Sequence, residues 1–191
     1  KGNRRQEQLR FEKRLEFLAF LYGKGVPVVQ PFFSMEGRIF ESVEDESGTW
    51  AAYAMKKVAG KTLSPKVWEP EFVRGWGQTI GKLHRAAQEY PAWERTLDPI
   101  TGEDLLSWEW ELKSFLNHVN EPEIQDQWER IHNELRGLPV MRDSFGMIHN
   151  DPHLWNVRWG QGQAILLDFE TVNHFWFAYD ITTACQHVVS M

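Results

Sequence analysis

A stretch of ten residues in the last quarter of the sequence, "IHNDPHLWNV" (residues 148–157), places two histidines, an aspartate and an asparagine close together. Residues of these types can bind a metal ion, catalyse a reaction or hydrogen-bond a polar turn. His149 and His153 are four positions apart, as in helical zinc motifs, but Pro152 lies between them and disfavours a helix. No cysteine lies nearby in the sequence, so the ligand types argue against zinc.

Asp151, Asn156 and Asp168 together indicate a different chemistry. The first two have the D-x-x-x-x-N spacing of a kinase catalytic loop, and Asp168 follows an apolar run in "AILLDFE". In phosphoryl transfer from ATP, one carboxylate accepts or orients the proton of the attacking hydroxyl, while an amide oxygen and a second carboxylate hold magnesium against the phosphates. A hydrogen-bonded polar turn is the more common role of an isolated Asp–Asn pair, and it stays open as the alternative.

The elements predicted around these residues form an α+β chain. Apolar residues at helical spacing predict a helix over residues 4–22, which "GKGVP" ends. Short stretches rich in β-branched and aromatic residues then predict a small antiparallel sheet from residues 26–34, 37–44 and 49–58. Helical periodicity returns after Gly60.

Three apolar stripes at helical spacing follow, and the apolar runs 157–159 and 164–169 on either side of "GQG" predict a hairpin with polar groups at both ends. Trp76, Trp108 and Trp128 lie on the stripes and are predicted to pack in the core. The stripes are Phe72, Trp76, Ile80, Leu83 and Ala87; Leu105, Trp108, Leu112, Phe115 and Val119; and Ile124, Trp128, Ile131 and Leu135.

Composition excludes several classes of protein. The chain has 191 residues, 42% hydrophobic and 25% charged, as expected for one globular domain or two small lobes. A net charge of -6 without a basic block argues against nucleic acid as a partner. Cys185 is the single cysteine, and no leader or membrane-spanning run is visible, so we expect a cytoplasmic protein with no membrane partner. Both ends look cut, which leads us to expect a longer parent chain.

The run "HNDPHLWN", followed by "LLDFE" and "WFAYD", resembles the aminoglycoside phosphotransferase and choline kinase family, whose fold is protein-kinase-like. "AYAMKKVAGKTL" is similar to the hinge strand of that family, and "WGQTIGKLHRAAQEY" to its first large-lobe helix. The resemblance implies two lobes. Residues 1–57 would form an incomplete N-terminal lobe of a helix and an antiparallel sheet, and residues 58–191 a mainly helical C-terminal lobe with the catalytic-loop hairpin.

The resemblance also implies roles for individual residues. Asp151 would be the catalytic base, Asn156 and Asp168 the magnesium ligands, and the backbones of Lys56 and Val58 would meet the adenine of ATP at the hinge. The implied function is an ATP- and Mg-dependent phosphotransferase. Its acceptor would be a hydroxyl of a small molecule, such as a cationic amino alcohol or an aminoglycoside, or else of a protein Ser or Thr. The oligomeric state is not indicated.

The resemblance implies roles for four further positions, and three of them have an alternative. His149 is implied to brace the catalytic loop, with Asp180 either as its partner or as a helix N-cap. Glu12 or Glu16 would be the carboxylate that family members pair with a phosphate-binding lysine, or both are solvated charges on one helix face. Helical spacing does not choose between them.

The sequence also departs from the family pattern. Family members place a phosphate-covering loop and a strand lysine ahead of the first helix, where this sequence has residues 1–3, which favours the alternative of a catalytically inactive kinase-like nucleotide- or ligand-binding module. Trp155 stands where many relatives have Gly, and Glu170 replaces the Gly of "DFG" with a charge that suits a cationic substrate. Trp155, Trp159 and Trp176 are candidates for holding an amine by cation–π contact, together with Glu170 or the Asp of "AYD".

Overall fold

The computed structural model describes residues 2–46, 48–62, 69–110, 116 and 118–189 of the chain, and it is a mixed α+β structure. Its helices in the described ranges are α1 Gly2–Gly23, α2 Pro70–Glu89, α3 Pro122–Arg136 and α4 Ala178–Val189. Its strands there are β1 Pro31–Phe32, β2 Glu41–Asp45, β3 Gly48–Ala52, β4 Ala54–Met55, β5 Phe145–Ile148, β6 Val157–Gly160, β7 Gln163–Leu166 and β8 Asn173–Trp176.

Helix α1 buries one apolar face, as its periodicity predicts. Leu15, Leu18 and Leu21 are at most 2% exposed, whereas Tyr22, at the end of the predicted stripe, is 43% exposed. The chain leaves the helix through Gly25, whose φ of 73° is the left-handed conformation that favours glycine after a helix. The helix boundaries predicted from the sequence are therefore close to those observed.

The strands after α1 form two separate antiparallel pairs where the sequence predicts one sheet. β2 pairs with β3 from Glu41 opposite Ala52 to Asp45 opposite Gly48, while the two-residue strands β1 and β4 pair with each other. Proline has no backbone N–H to donate to a ladder, so Pro27 and Pro31 shorten the strand expected over residues 26–34.

Helix α2 is the central helix of the core. All five of its predicted stripe residues are buried, at 5% exposure or less, which confirms the prediction for this helix. The Thr79 hydroxyl also donates a hydrogen bond of 2.8 Å to the carbonyl of Ala164 in β7. Gly75 lets the Trp159 ring approach closely, because a Cβ there would lie 2.5 Å from that ring. The stripe consists of Phe72, Trp76, Ile80, Leu83 and Ala87.

Helix α3 differs from the prediction. None of its residues is buried: Ile124 and Ile131 are 46% and 41% exposed, and Trp128 is half-buried. Trp128 is therefore not fully buried as predicted, whereas the core positions predicted for Trp76 and Trp108 are confirmed at 3% and 8% exposure. Part of the middle stripe, residues 111–115, lies outside the described residues.

The predicted hairpin is present as β6 and β7, with Val157 opposite Leu166. Two isolated β-bridges attach residues outside the hairpin to its two strands. Val29 N–H donates to Leu166 O at 2.9 Å, and Lys61 N–H donates to Trp159 O at 2.9 Å. The second crossing is close, because a Cβ at Gly160 would lie 2.6 Å from Ala59 O.

A second strand pair, β5 with β8, completes the core beneath the hairpin. The register places Phe145 opposite Trp176 and Ile148 opposite Asn173. All four residues of β5 are buried, but the sequence pattern predicts neither of these two strands. None of the helices in the described ranges has an apolar stretch that would cross a membrane.

Candidate functional site

The loop of residues 149–156 connects β5 to β6 and carries the motif found in the sequence. Asn150 has a φ of 71°, a left-handed conformation that asparagine tolerates better than most residues. The loop ends in a single 3-10 turn, Leu154–Asn156, which His153 caps because its Nδ1 accepts from Asn156 N–H at 3.3 Å. The histidine therefore belongs to the turn, and its Nε2 is left to face Asp151.

Asp151 and Asn156 contact each other across this loop. Asn156 Nδ2 donates to the Asp151 carbonyl at 3.0 Å and to its Oδ2 at 3.3 Å. His153 Nε2 lies 3.4 Å from the same Oδ2. Within the described residues, Asp151 Oδ1 and Asn156 Oδ1 accept no hydrogen bond, so one carboxylate oxygen and one amide oxygen are free to contact a ligand.

The hairpin brings Asp168 to the same place. Leu167 N–H donates to Asn156 O at 2.8 Å, which extends the β6–β7 register by one pair and makes Asp168 the next residue beyond it. Asp168 is exposed and has a φ of 60°. The structure thus places the three residues that the sequence singles out at the loop end of one hairpin.

His149 braces the loop from beneath and is 0% exposed. Its Nδ1 accepts from Asp151 N–H at 3.3 Å, so the ring proton is on Nε2, which donates to Leu167 O at 2.8 Å. Burial lowers the pKa of His149, which keeps the ring in this neutral form. One imidazole therefore ties the Asp151 backbone to the residue before Asp168.

Asp180 acts as a second brace and is fully buried. Its two carboxylate oxygens accept from His149 N–H at 3.1 Å and Asn150 N–H at 2.8 Å. The expected pairing with His149 is therefore made through the backbone, and since α4 begins at Ala178, Asp180 lies in its first turn and is not its N-cap. His84 of α2, which sequence reasoning missed, donates from Nε2 to Asp180 at 2.9 Å.

Replacing Asp180 by asparagine should lower the free energy of unfolding by about 1–3 kcal/mol, the range for leaving a buried hydrogen-bonding group unsatisfied. The amide keeps the shape but offers one acceptor oxygen to three donors, and its NH2 group would face an N–H. Urea unfolding of the Asp180→Asn variant measures this. Asp126→Asn, an exposed aspartate on α3, is the matched control and should not change stability. Equal stability of the two variants would contradict the bracing role.

Lys56 and Val58, the predicted hinge, border a cavity of about 530 Å³ that Tyr22 and Ile165 also line. Lys56 N–H donates to Gln30 O at 2.9 Å, which fixes the strand end ahead of Val58. Among the described residues, no hydrogen bond connects either position to the loop of residues 149–156. Their contact with adenine stays a prediction.

Glu12 and Glu16 line a groove of about 620 Å³ with Phe33 and Arg38. Lys13 Nζ donates to both carboxylate oxygens of Glu16 at 2.8 Å. Both glutamates therefore face the loop after β1, and the pairing of either with a phosphate-binding lysine stays a prediction.

The three tryptophans predicted to border the cleft have different positions. Trp155 is 52% exposed beside the loop, with its ring centroid 5.4 Å from that of His153. Trp159 instead packs edge-on against Phe72 at 5.7 Å. Trp176 packs on the Trp108 ring and donates from Nε1 to a backbone carbonyl. Trp155 is thus the most exposed of the three, and an amine site at any of them stays a prediction, while Asp180 is fully buried and not accessible to an amine.

The donor set at the loop fits magnesium better than zinc. No group of three or more His, Cys, Asp or Glu side chains that could hold a metal occurs within the described ranges. A kinase-type magnesium site needs no such group, since an amide oxygen, a carboxylate and the nucleotide phosphates share the coordination. Asn156 donates through Nδ2 and so presents its Oδ1, and the Asp168 carboxylate is exposed. Both are hard oxygen donors of the kind Mg²⁺ prefers.

Comparison with known proteins shows relatives that are kinases of small molecules. Amicoumacin kinase of Bacillus subtilis (strain 168) is 27% identical over 185 residues, which cover 92% of this chain and 52% of that protein. The amicoumacin kinase hAmiN, solved in complex with AMP-PNP, Ca2+ and Ami, has a TM-score of 0.75 at 20% identity and covers 97% of this chain and 54% of its own. A microcompartment-associated aminopropanol kinase has a TM-score of 0.56 at 22% identity, over 91% and 57% of the two chains.

These structures share the fold of this chain over most of its length, and the chain spans about half the length of the relatives it matches. The model of the phosphotransferase enzyme family matches residues 1–191, the whole sequence. The chain therefore belongs to the phosphotransferase enzyme family.

Proposed function

We propose that the chain carries the catalytic loop of an ATP- and Mg-dependent phosphotransferase that acts on a hydroxyl of a small molecule. The observation that carries the proposal is that Asp151, Asn156 and Asp168 lie at one end of the hairpin. Asp151 and Asn156 each have one side-chain oxygen that accepts no hydrogen bond within the described residues. Phosphoryl transfer depends on positioning and on charge stabilisation, and these side chains supply both. We also propose that the chain forms two lobes, residues 1–57 and residues 58–191.

In this reaction Asp151 would accept the proton of the acceptor hydroxyl. The hydroxyl oxygen forms a bond to the γ-phosphorus, the bond from that phosphorus to the β–γ bridging oxygen breaks, and ADP leaves. The geometry supports this role because Oδ2 is held by Asn156 and His153 while Oδ1 has no partner among the described residues. The bound carboxylate oxygen orients the free one toward the substrate.

Asn156 and Asp168 would hold the metal. Magnesium, when bound, neutralises charge on the β- and γ-phosphates and orients them. The amide of Asn156 is oriented by its bonds to Asp151, and the backbone just before Asp168 is fixed at Leu167 by the hairpin and by His149. The backbones of Lys56 and Val58 would contact the adenine.

The acceptor class we favour is a cationic amino alcohol. Trp155 and Glu170 are both exposed, one in the catalytic loop and the other two residues after Asp168, so an aromatic face and a carboxylate border the proposed site. The net charge of -6 also favours a cation. The similarity to an aminopropanol kinase supports the same class, because aminopropanol is an amino alcohol.

A phosphorylation screen tests the proposal. The whole protein would be incubated with ATP, magnesium and one acceptor at a time: aminopropanol, choline, homoserine, amicoumacin, aminoglycosides and Ser/Thr peptides. ADP release and a product mass increased by one phosphate should appear with at least one cationic small molecule. Transfer to peptides alone would replace the acceptor class, and tight nucleotide binding without transfer to any acceptor would favour the kinase-like binding module.

A further inference from the structure

Tyr53 lies outside the catalytic loop, between β3 and β4, yet its hydroxyl reaches the segment that follows Asp168. Tyr53 Oη donates to Oε1 of Glu170 at 2.6 Å. This length is typical of a hydroxyl that donates to a carboxylate, about 2.5–2.7 Å. The bond joins the strands that follow α1 to the segment carrying one of the two proposed magnesium ligands.

The position of the Tyr53 hydroxyl is set by helix α1. The ring of Phe11 meets the ring of Tyr53 edge-on at 5.1 Å and that of Phe40 at 6.1 Å. Burial, and then the hydrogen bond to Glu170, raises the pKa of Tyr53, so the phenol stays protonated and remains a donor. A ring held on one side by α1 thus presents its hydroxyl at a fixed place.

The two neighbours of Glu170 in the sequence are held by contacts that do not involve Tyr53. Phe169 is 1% exposed, and its ring lies 4.5 Å from the imidazole of His149. Thr171 Oγ1 donates to the His149 carbonyl at 3.2 Å. Loss of the Tyr53 hydroxyl should therefore leave the fold of this segment intact.

The orientation of the Asp168 side chain depends on a weaker contact. Glu170 N–H donates to Asp168 Oδ1 at 3.4 Å, a long hydrogen bond. Within the described residues, Tyr53 is the partner of the Glu170 carboxylate. We propose that Tyr53 is a positioning residue: by holding the Glu170 side chain, it keeps the Glu170 N–H directed at Asp168 and so strengthens the magnesium-dependent binding of nucleotide. The inference rests on the proposed function.

The test is a magnesium titration of nucleotide binding, followed by fluorescence or calorimetry in the whole protein. Tyr53→Phe should raise the magnesium concentration for half-maximal ATP binding about threefold to tenfold, the scale of the net contribution of one typical intramolecular hydrogen bond. Tyr90→Phe is the matched control. Its ring packs on Phe17 and Phe20, and its hydroxyl has no hydrogen-bond partner in the described part of the chain, so the magnesium midpoint should not move.

A double-mutant cycle distinguishes positioning through Glu170 from a general effect on folding. In a Glu170→Ala background, Tyr53→Phe should cause no further shift of the midpoint, because the contact is already lost. Three results would overturn this inference while leaving the proposed function standing. They are additive shifts in the double variant, a magnesium midpoint in Tyr53→Phe equal to that in Tyr90→Phe, and a lower magnesium midpoint in Tyr53→Phe than in the unsubstituted protein. Absence of magnesium-dependent nucleotide binding in the unsubstituted protein would overturn the proposed function, and this inference with it.

Discussion

Replacing Asp151 by asparagine in the whole protein should lower turnover about a hundredfold or more, the scale expected for losing a positioned general base. Nucleotide affinity should stay unchanged. The loop should keep its shape, because Asn156 Nδ2 also donates to the Asp151 carbonyl, which the substitution retains. The amide oxygen of the new side chain cannot take the proton of the acceptor hydroxyl. Steady-state turnover and a nucleotide titration on the same preparation measure the two quantities.

Asp143→Asn is the matched control for this experiment. Asp143 is exposed in the turn before β5 and carries no proposed role, so its variant should keep full turnover. Unchanged turnover in Asp151→Asn would remove Asp151 from the mechanism. A loss of turnover shared by both variants would point to charge or stability instead of a base.

Replacing Asp168 by asparagine should weaken ATP binding in magnesium by roughly 10–100-fold, since losing a metal ligand should cost at least as much as losing an outer-shell partner. ATP binding with the metal chelated should change much less, because the carboxylate acts through the cation. Asparagine is the suitable substitution here, since the φ of 60° at Asp168 would strain most other residues. Titrations of ATP with magnesium and with chelator measure the difference.

Asn156→Ala should shift the same titrations in the same direction but more mildly, because a neutral amide is the weaker ligand. The polar-turn alternative makes the opposite prediction. If Asp168 only stabilises the hairpin, its replacement should lower the melting temperature and reduce binding equally with and without metal. Equal losses in the two titrations would end the metal-ligand assignment of both residues.

The features that the sequence predicts well are local ones. The stripe from Phe72 to Ala87 repeats at helical spacing, and the whole stripe is buried in α2. The turn "GQG" marks the hairpin because Gln161 and Gly162 both have positive φ values there, 54° and 73°. The motif spacing from Asp151 to Asn156 lies within one loop. In each case the physical cause acts over a few residues, so a single sequence carries it.

The features that the sequence does not predict join distant segments. His84 and Asp180 are 96 positions apart, and the bond between them has no local signal. A signal that could have found His84 is its place beside Leu83 on the buried stripe of α2, where a polar ring needs a partner. The error at Trp128 has the same origin, because an apolar stripe shows which face of a helix can be covered but not whether another element covers it.

The two bridges to the hairpin have a mechanical consequence. Residues 31–46 and 48–55 belong to a segment that is attached to the β6–β7 hairpin at both ends, since residue 29 is hydrogen-bonded to β7 and residue 61 to β6. A segment attached at both ends can rotate about the line between its attachments but cannot slide along the hairpin, and such a rotation would break the hydrogen bond from Tyr53 to Glu170. The loop of residues 149–156 leads directly into β6 of the same hairpin. A rotation of the segment would therefore change its distance from Asp168, while the distances among Asp151, Asn156 and Asp168 would stay constant.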